Sequence, residues 1–243
     1  MMSGQLSSRI GAFDNAAEFP ASVPTFAHYL RNLGYKTCLS GKMHFVGPDQ
    51  LHGFEERLTT DIYPSDFGWT SDWSQTDYPF APSVMSLRGV VEAGVCKRSL
   101  QLDYDEEVCF TTVKKIYDYA RDRENGPFFL AASFTHPHNP FTITQEYWDR
   151  YDHDKIDLPS VASIPFEDRD PWSQRYYHLI RQDEHNLDDD IIRTARHAYY
   201  GMISYVDDKV GQLMRALEDT GLAENTVVFF TADHGDMMGE RGM

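Results

Sequence analysis

The chain has 243 residues, 41% of them hydrophobic and 25% charged, with a mean hydropathy of −0.51. That is enough for a large folded domain with a real core and excludes a disordered chain. A formal net charge of −16 leaves no basic footprint for nucleic acid, and no stretch approaches the roughly 18 apolar residues of a membrane-spanning helix. An anionic substrate would therefore need a locally positive pocket made by a few Lys, Arg or His residues or by a metal.

The start, Met1-Met2-Ser3-Gly4-Gln5-Leu6, has no basic segment followed by an apolar run, so no secretory signal is expected. Three cysteines, Cys38, Cys96 and Cys109, are odd in number and not spaced as a CxxC pair. They point to a reducing, cytoplasmic setting and to buried, inert thiols.

The pattern predicts a helix over 24–34, with Pro24 in its first turn, Phe26, Leu30 and Leu33 at helical spacing, and Gly34 as cap. A short strand over 35–39 follows and runs into a turn at Ser40-Gly41-Lys42-Met43-His44. Residues 50–96 are rich in Pro, Gly, Asp and aromatics, which predicts an ordered loop region with a small hairpin at most. A second helix is expected over 105–121. The continuous apolar run 127–134 suits a buried parallel strand, and it ends in Thr135-His136-Pro137-His138-Asn139-Pro140. Residues 141–186 read as irregular. The longest helix is expected over 188–218, with its apolar stripe running from Ile191 to Leu217 and Gly221 closing it. Asn225 to Thr231 reads as another buried strand, ending in Ala232-Asp233-His234-Gly235-Asp236.

Alternating helices and strands favour an α/β fold. In open α/β sheets ligands bind beyond the carboxyl ends of the strands, so three polar clusters at three strand ends could share one crevice. Lys42 and His44, two apart on an extended backbone, would point the same way and suit an oxyanion; a solvated lysine beside a packed histidine is the alternative. His136 and His138, in a turn stiffened by proline, could supply a general acid or a metal ligand, or could simply bond to backbone. Asp233 and His234 after an apolar strand suit a divalent metal in a dry setting, or a turn. The sequence contains no GxSxG, and Cys38 lies inside an apolar strand, so none of these clusters carries a nucleophile.

The motifs resemble a known family. SGKMHFVGPDQLHGFEERLTTDIYPSDFGW, FTHPHNPF and FTADHGDMMGERGM are similar, in the same order, to segments of the choline sulfatases, type I sulfatases of the alkaline-phosphatase-like superfamily. The resemblance covers essentially the whole chain. It implies an α/β fold with a mostly parallel sheet flanked by helices. It also implies hydrolysis of a sulfate ester, choline sulfate being the expected substrate, by a formylglycine nucleophile made from a C-x-[PA]-[SA]-R motif, together with one divalent metal, expected to be calcium. Lys42 would bind the sulfate, His44 would orient or deprotonate the formylglycine hydrate, and His138 would assist the leaving oxygen, with His136 beside it in the substrate site. Asp233 and His234 would be metal ligands, Asn15 a sulfate contact, and Trp69 the aromatic face for the trimethylammonium group. The nucleophile motif is absent from the 243 residues. We therefore read the chain as one partial sulfatase catalytic domain, 1–243, incomplete at both ends, lacking an N-terminal strand and a C-terminal subdomain, and with little or no turnover of its own. The complete enzyme would be a homo-oligomer with no nucleic-acid or membrane partner. The alternatives are a phosphodiesterase or phosphonate hydrolase of the same superfamily, and a non-catalytic truncated product.

Overall fold

The computed structural model describes residues 1–63, 87–122 and 126–242. In chain order the elements are α1 (Ser7–Ile10), α2 (Phe26–Asn32), β1 (Lys36–Gly41), β2 (Glu56–Arg57), α3 (Arg88–Val91), β3 (Gly94–Val95), α4 (Leu100–Arg121), β4 (Phe128–Ser133), β5 (Thr142–Ile143), α5 (Gln145–Trp148), α6 (Pro171–Leu179) and α7 (Asp189–Asp219), joined by loops and short 3-10 turns. The chain divides into two compact units. The first comprises Met1–Gly68, Leu100–Thr135 and Val206–Asp233; the second comprises Trp69–Ser99, His136–Tyr205 and His234–Met243.

The first unit holds a parallel sheet in the order β2-β1-β4. β1 runs two residues beyond the expected strand, through Ser40 and Gly41, and pairs residue for residue with β4 from Lys36–Phe128 to Gly41–Ser133. As a central strand it is buried along Thr37–Gly41, which suits its apolar and small side chains. Alternation along β4 decides what lies on each face. Phe129 and Ala131 join a core with Ala27 of α2, Leu39, Phe45 and Phe54, whereas Leu130 joins Ile116 of α4 and Ala216 and Leu217 of α7. Helices thus cover both faces, and each of these large apolar side chains contributes about 1.5–3 kcal/mol by leaving water.

Helix α2 begins where Thr25 closes its first turn. The Thr25 amide donates to His28 Nδ1 at 3.1 Å and its hydroxyl donates to the His52 carbonyl at 2.6 Å. Leu33, expected on the buried stripe, is exposed at the helix end; Ala27 takes the core position instead. Helix α4 starts five residues earlier than the pattern suggested, at Leu100. Cys38 and Cys109 are buried free thiols, as expected, and burial pushes Cys38 up to about 12.

The region 50–96, read as loop with a small hairpin at most, contains no antiparallel hairpin among its described residues; β2 and β3 are two-residue strands in parallel pairings. One expectation fails in the first unit: the apolar run over 225–231 is not a strand. No described strand pairs with it, and Val227, Phe229 and Phe230 are 94%, 85% and 75% exposed. An apolar run becomes a buried strand only when a neighbour supplies both a hydrogen-bond ladder and covering side chains. For the same reason β4, paired on one edge only among the described residues, is half-buried rather than buried.

The second unit packs the first half of α7 against α5 and the β3–β5 pair. Phe141 meets Tyr199 edge-on at 5.7 Å, Tyr147 meets Tyr205 at 5.4 Å, and Ile143 and Met202 are fully enclosed. Asp188, at the head of the acidic run, caps α7 by accepting the Ile191 amide at 2.9 Å. Residues 141–186 are less irregular than their composition suggests. Asp170 accepts the amides of Trp172 and Ser173, and Pro171 opens α6, a start signal present in the sequence.

His197, buried on α7, lies 3.6 Å from the Trp148 ring, donates from Nε2 to the Trp148 carbonyl at 2.9 Å and faces His153 Nδ1 at 3.0 Å through its own Nδ1. A carbonyl only accepts, so neutral His197 carries its proton on Nε2 and accepts the His153 proton at Nδ1. Burial, reinforced by His153, holds its pKa below the ordinary histidine value. The unfolded chain then binds the proton more readily, so stability is full above about pH 6.5 and is lost as pH falls below it, with a limiting slope of about 1.4 kcal/mol per pH unit. An NMR titration should place His197 below free histidine, and His197→Gln should flatten the fall of the urea midpoint between pH 7 and pH 5.5; an unchanged profile in the variant would contradict the assignment.

Candidate active site

The site grows from the end of β1. Gly41 has φ 118°, a backbone region open to glycine, and a Cβ there would lie 2.0 Å from the Ser133 carbonyl oxygen. The chain leaves the sheet at this point with the Lys42 amide donating to Ser133 O at 3.0 Å and the Gly41 amide donating to Thr59 Oγ1 at 2.9 Å.

The backbone leaves the strand after Gly41, as the expected turn requires, and His44 reaches φ 55°. Strand alternation therefore does not relate Lys42 to His44; what they share is the Tyr63 ring beside both. One carboxylate holds that turn. Asp61 Oδ2 accepts the Met43 amide at 3.0 Å, the His44 amide at 2.7 Å and Arg57 Nη2 at 2.9 Å. The Asp61 and Arg57 side chains are both almost wholly enclosed, so the charge-assisted bonds act with little screening by water.

Tyr63 closes the other side. Lys42 Nζ sits 4.7 Å from the centre of its ring, and the His44 ring lies 5.9 Å from it. Burial raises the Tyr63 pKa, with Asp61 and Asp105 adding to the effect against a bond to Gln101, so its phenol stays neutral beside the lysine. Asn15 arrives from the N-terminal loop, and its carbonyl accepts from His44 Nε2 at 2.9 Å. That contact assigns the neutral His44 proton to Nε2 and leaves Nδ1 as the basic nitrogen. Lys42, His44 and Asn15, all anticipated, thus share the first unit with Tyr63 and Asp61, which were not. Nothing in the periodicity of 50–96 marks either residue, because their roles depend on contacts 17–21 residues back in the chain.

In the second unit the two histidines after β4 differ. His136 is buried, its ring 4.9 Å from Tyr205. His138 is half-exposed, and its Nδ1 donates to the Asn139 carbonyl at 2.7 Å, so Nε2 is the nitrogen that takes up a second proton and, as the imidazolium, hands it to a leaving group. The last anchor before them lies in the first unit: the fully buried Asp105 of α4 accepts the Thr135 amide at 2.7 Å.

Asp233 belongs to the first unit and His234 to the second, and both are exposed. The dry setting expected for them is not formed, because the preceding 225–231 run is itself open to water. Among the described residues no three His, Cys, Asp or Glu side chains gather as a metal centre. Calcium takes six to eight oxygen ligands; one carboxylate and one imidazole do not fit that demand. Trp69 lies outside the described residues.

The sulfatase family model matches residues 1–243, the whole chain. The chain belongs to the sulfatase family. Over its full length this sulfatase chain is 47% identical to the choline-sulfatase of Rhizobium meliloti strain 1021, of which it covers 48%. It thus spans about half the length of the curated relatives it matches. Among solved structures it is similar to a 2-O GAG sulfatase (TM-score 0.65, 18% identity, all of this chain and 48% of that one). It is also similar to the phosphonate monoester hydrolase of Silicibacter pomeroyi (TM-score 0.63, 21% identity, 99% and 53%). At these identities the structural likeness shows the fold, and it agrees with the parallel, helix-covered sheet. Sulfatases in general use a divalent metal and a formylglycine nucleophile; this sequence contains no C-x-[PA]-[SA]-R motif.

Proposed function

We propose that the protein to which this chain belongs hydrolyses choline sulfate to choline and sulfate, and that this chain carries the sulfate-binding turn. The observation that carries the reading is the 47% identity to a choline-sulfatase over the whole length of this chain. Lys42 supplies the local positive charge that a chain of net charge −16 needs before it can hold a sulfate ester. His44, with Nδ1 basic, accepts a proton from the attacking hydroxyl. His138 donates one to the oxygen leaving with choline, an alkoxide too basic to depart unprotonated. Formylglycine, supplied from outside this sequence, would provide the nucleophile. Calcium is the metal this reading carries; Asp233 and His234 could supply at most two of its ligands, and the rest are not gathered among the described residues. Trp69 is proposed as the aromatic face for the trimethylammonium group, where a cation–π contact contributes about 0.5–2 kcal/mol.

The test is sulfate release from choline sulfate by the longer protein, compared with an aryl sulfate and a phosphonate monoester. Choline sulfate is expected to give the highest kcat/KM, and Lys42→Ala to lower it by about 1000-fold, the scale for loss of a charge that stabilises the transition state. A phosphonate monoester hydrolysed faster than either sulfate ester would overturn the reading. The 243-residue chain alone is expected to show no turnover.

A further inference from the structure

We propose that Asp61 is a positioning residue for both Lys42 and His44, so that one buried carboxylate sets the geometry of the sulfate-binding turn. The inference rests on the sulfatase reading for its catalytic consequence, but its structural content stands on the contacts alone.

A single oxygen, Asp61 Oδ2, accepts from the amides of Met43 and His44 and from the Arg57 guanidinium. Those two amides lie between Lys42 and His44, and His44 is held at a φ of 55° that a non-glycine residue rarely adopts unaided. The second oxygen, Oδ1, accepts the Tyr63 amide at 3.4 Å. Tyr63 is the residue whose ring lies under Lys42 Nζ. The carboxylate therefore fixes the backbone that carries the lysine and the segment that carries the lysine's aromatic neighbour.

Arg57 completes the clamp. Its Nε donates to the Thr59 carbonyl at 3.0 Å, its Nη1 to Gln50 Oε1 at 2.9 Å and the Gln50 carbonyl at 3.2 Å, and its Nη2 also reaches the Gly41 carbonyl at 3.4 Å. The two-residue strand β2 has a purpose in this light: its pairing with β1 sets Arg57 opposite Leu39, two residues before Gly41. A neutral side chain at position 61 could accept one or two of these bonds, but it would leave the enclosed guanidinium without its counter-charge.

Two measurements test the proposal. In the 243-residue chain, proton NMR should show the His44 and Met43 amides shifted downfield by the carboxylate, together with cross-peaks between the Lys42 side chain and the Tyr63 ring. Asp61→Ala should move both amides upfield and remove the cross-peaks; Asp61→Asn, which keeps one acceptor oxygen and is the less disruptive change, should move them part of the way. In the longer sulfatase, Asp61→Asn should lower kcat on choline sulfate about 100-fold, the scale for a catalytic group misplaced by about 1 Å, with KM changed less than about threefold. Folded variants with unchanged amide shifts and Lys42–Tyr63 cross-peaks would overturn the proposal, as would an unchanged kcat per folded molecule. If the wild-type protein does not hydrolyse choline sulfate, the functional reading fails and the NMR measurement alone decides the role of Asp61.

Discussion

Gly41→Ala is expected to lower stability by about 4 kcal/mol or more, at the far end of what single substitutions do. Two costs add. The alanine would have to hold φ 118°, a conformation that L side chains rarely adopt, and its Cβ would lie 2.0 Å from the Ser133 carbonyl oxygen and 2.9 Å from the Ser133 amide nitrogen. Ser133 cannot simply withdraw, because its carbonyl accepts the Lys42 amide and it is the final register partner of Gly41 in the β1–β4 ladder. Relief therefore means opening the end of the ladder from which the Lys42–His44 turn departs. Thermal melting measures the effect: for a chain of this length 4 kcal/mol corresponds to about 8–16 °C. A variant melting within about 2 °C of wild type would show that the turn yields easily, and the tight approach at Gly41 would lose its meaning.

Asp105→Ala is expected to cost about 3 kcal/mol. The carboxylate is fully buried on α4 and accepts the Thr135 amide at 2.7 Å; its loss strands a buried N–H, for which the penalty is the desolvation of the donor rather than the small net gain of an average bond. Asp105→Asn keeps an acceptor oxygen of the same shape and should cost about half as much. The local signature matters more than the total. Thr135 directly precedes His136 and His138, so amide exchange at Thr135 should accelerate strongly in the alanine variant and only modestly in the asparagine variant. Equal protection of Thr135 in all three proteins would mean that Asp105 does not anchor the end of β4.

The same residues show how far one-dimensional reading reaches. The long helices were legible because their apolar stripes repeat over many turns, and the β1 and β4 runs because short, largely apolar segments bounded by turn residues mark buried strands. β2, β3 and β5 were not, since two residues cannot show a period. The 225–231 run misled for a physical reason: Val227, Phe229 and Phe230 have every strand-like property except a neighbour, and a neighbour is not a local property. The Asp170-Pro171 helix start was present in the sequence and went unread.

The sequence by itself determined the family, the α/β class and the identities of Lys42, His44, His138 and Asn15 as candidates, because motifs of that length carry chemistry in residue types and order. Only the tertiary structure decided how the turn is held. Asp61 and Tyr63 lie some twenty residues from Lys42 and reach it through a two-residue strand, a strained His44 and a shared carboxylate oxygen. Hydrogen bonds and cation–π contacts depend on distance in space, and no spacing along the chain encodes that distance.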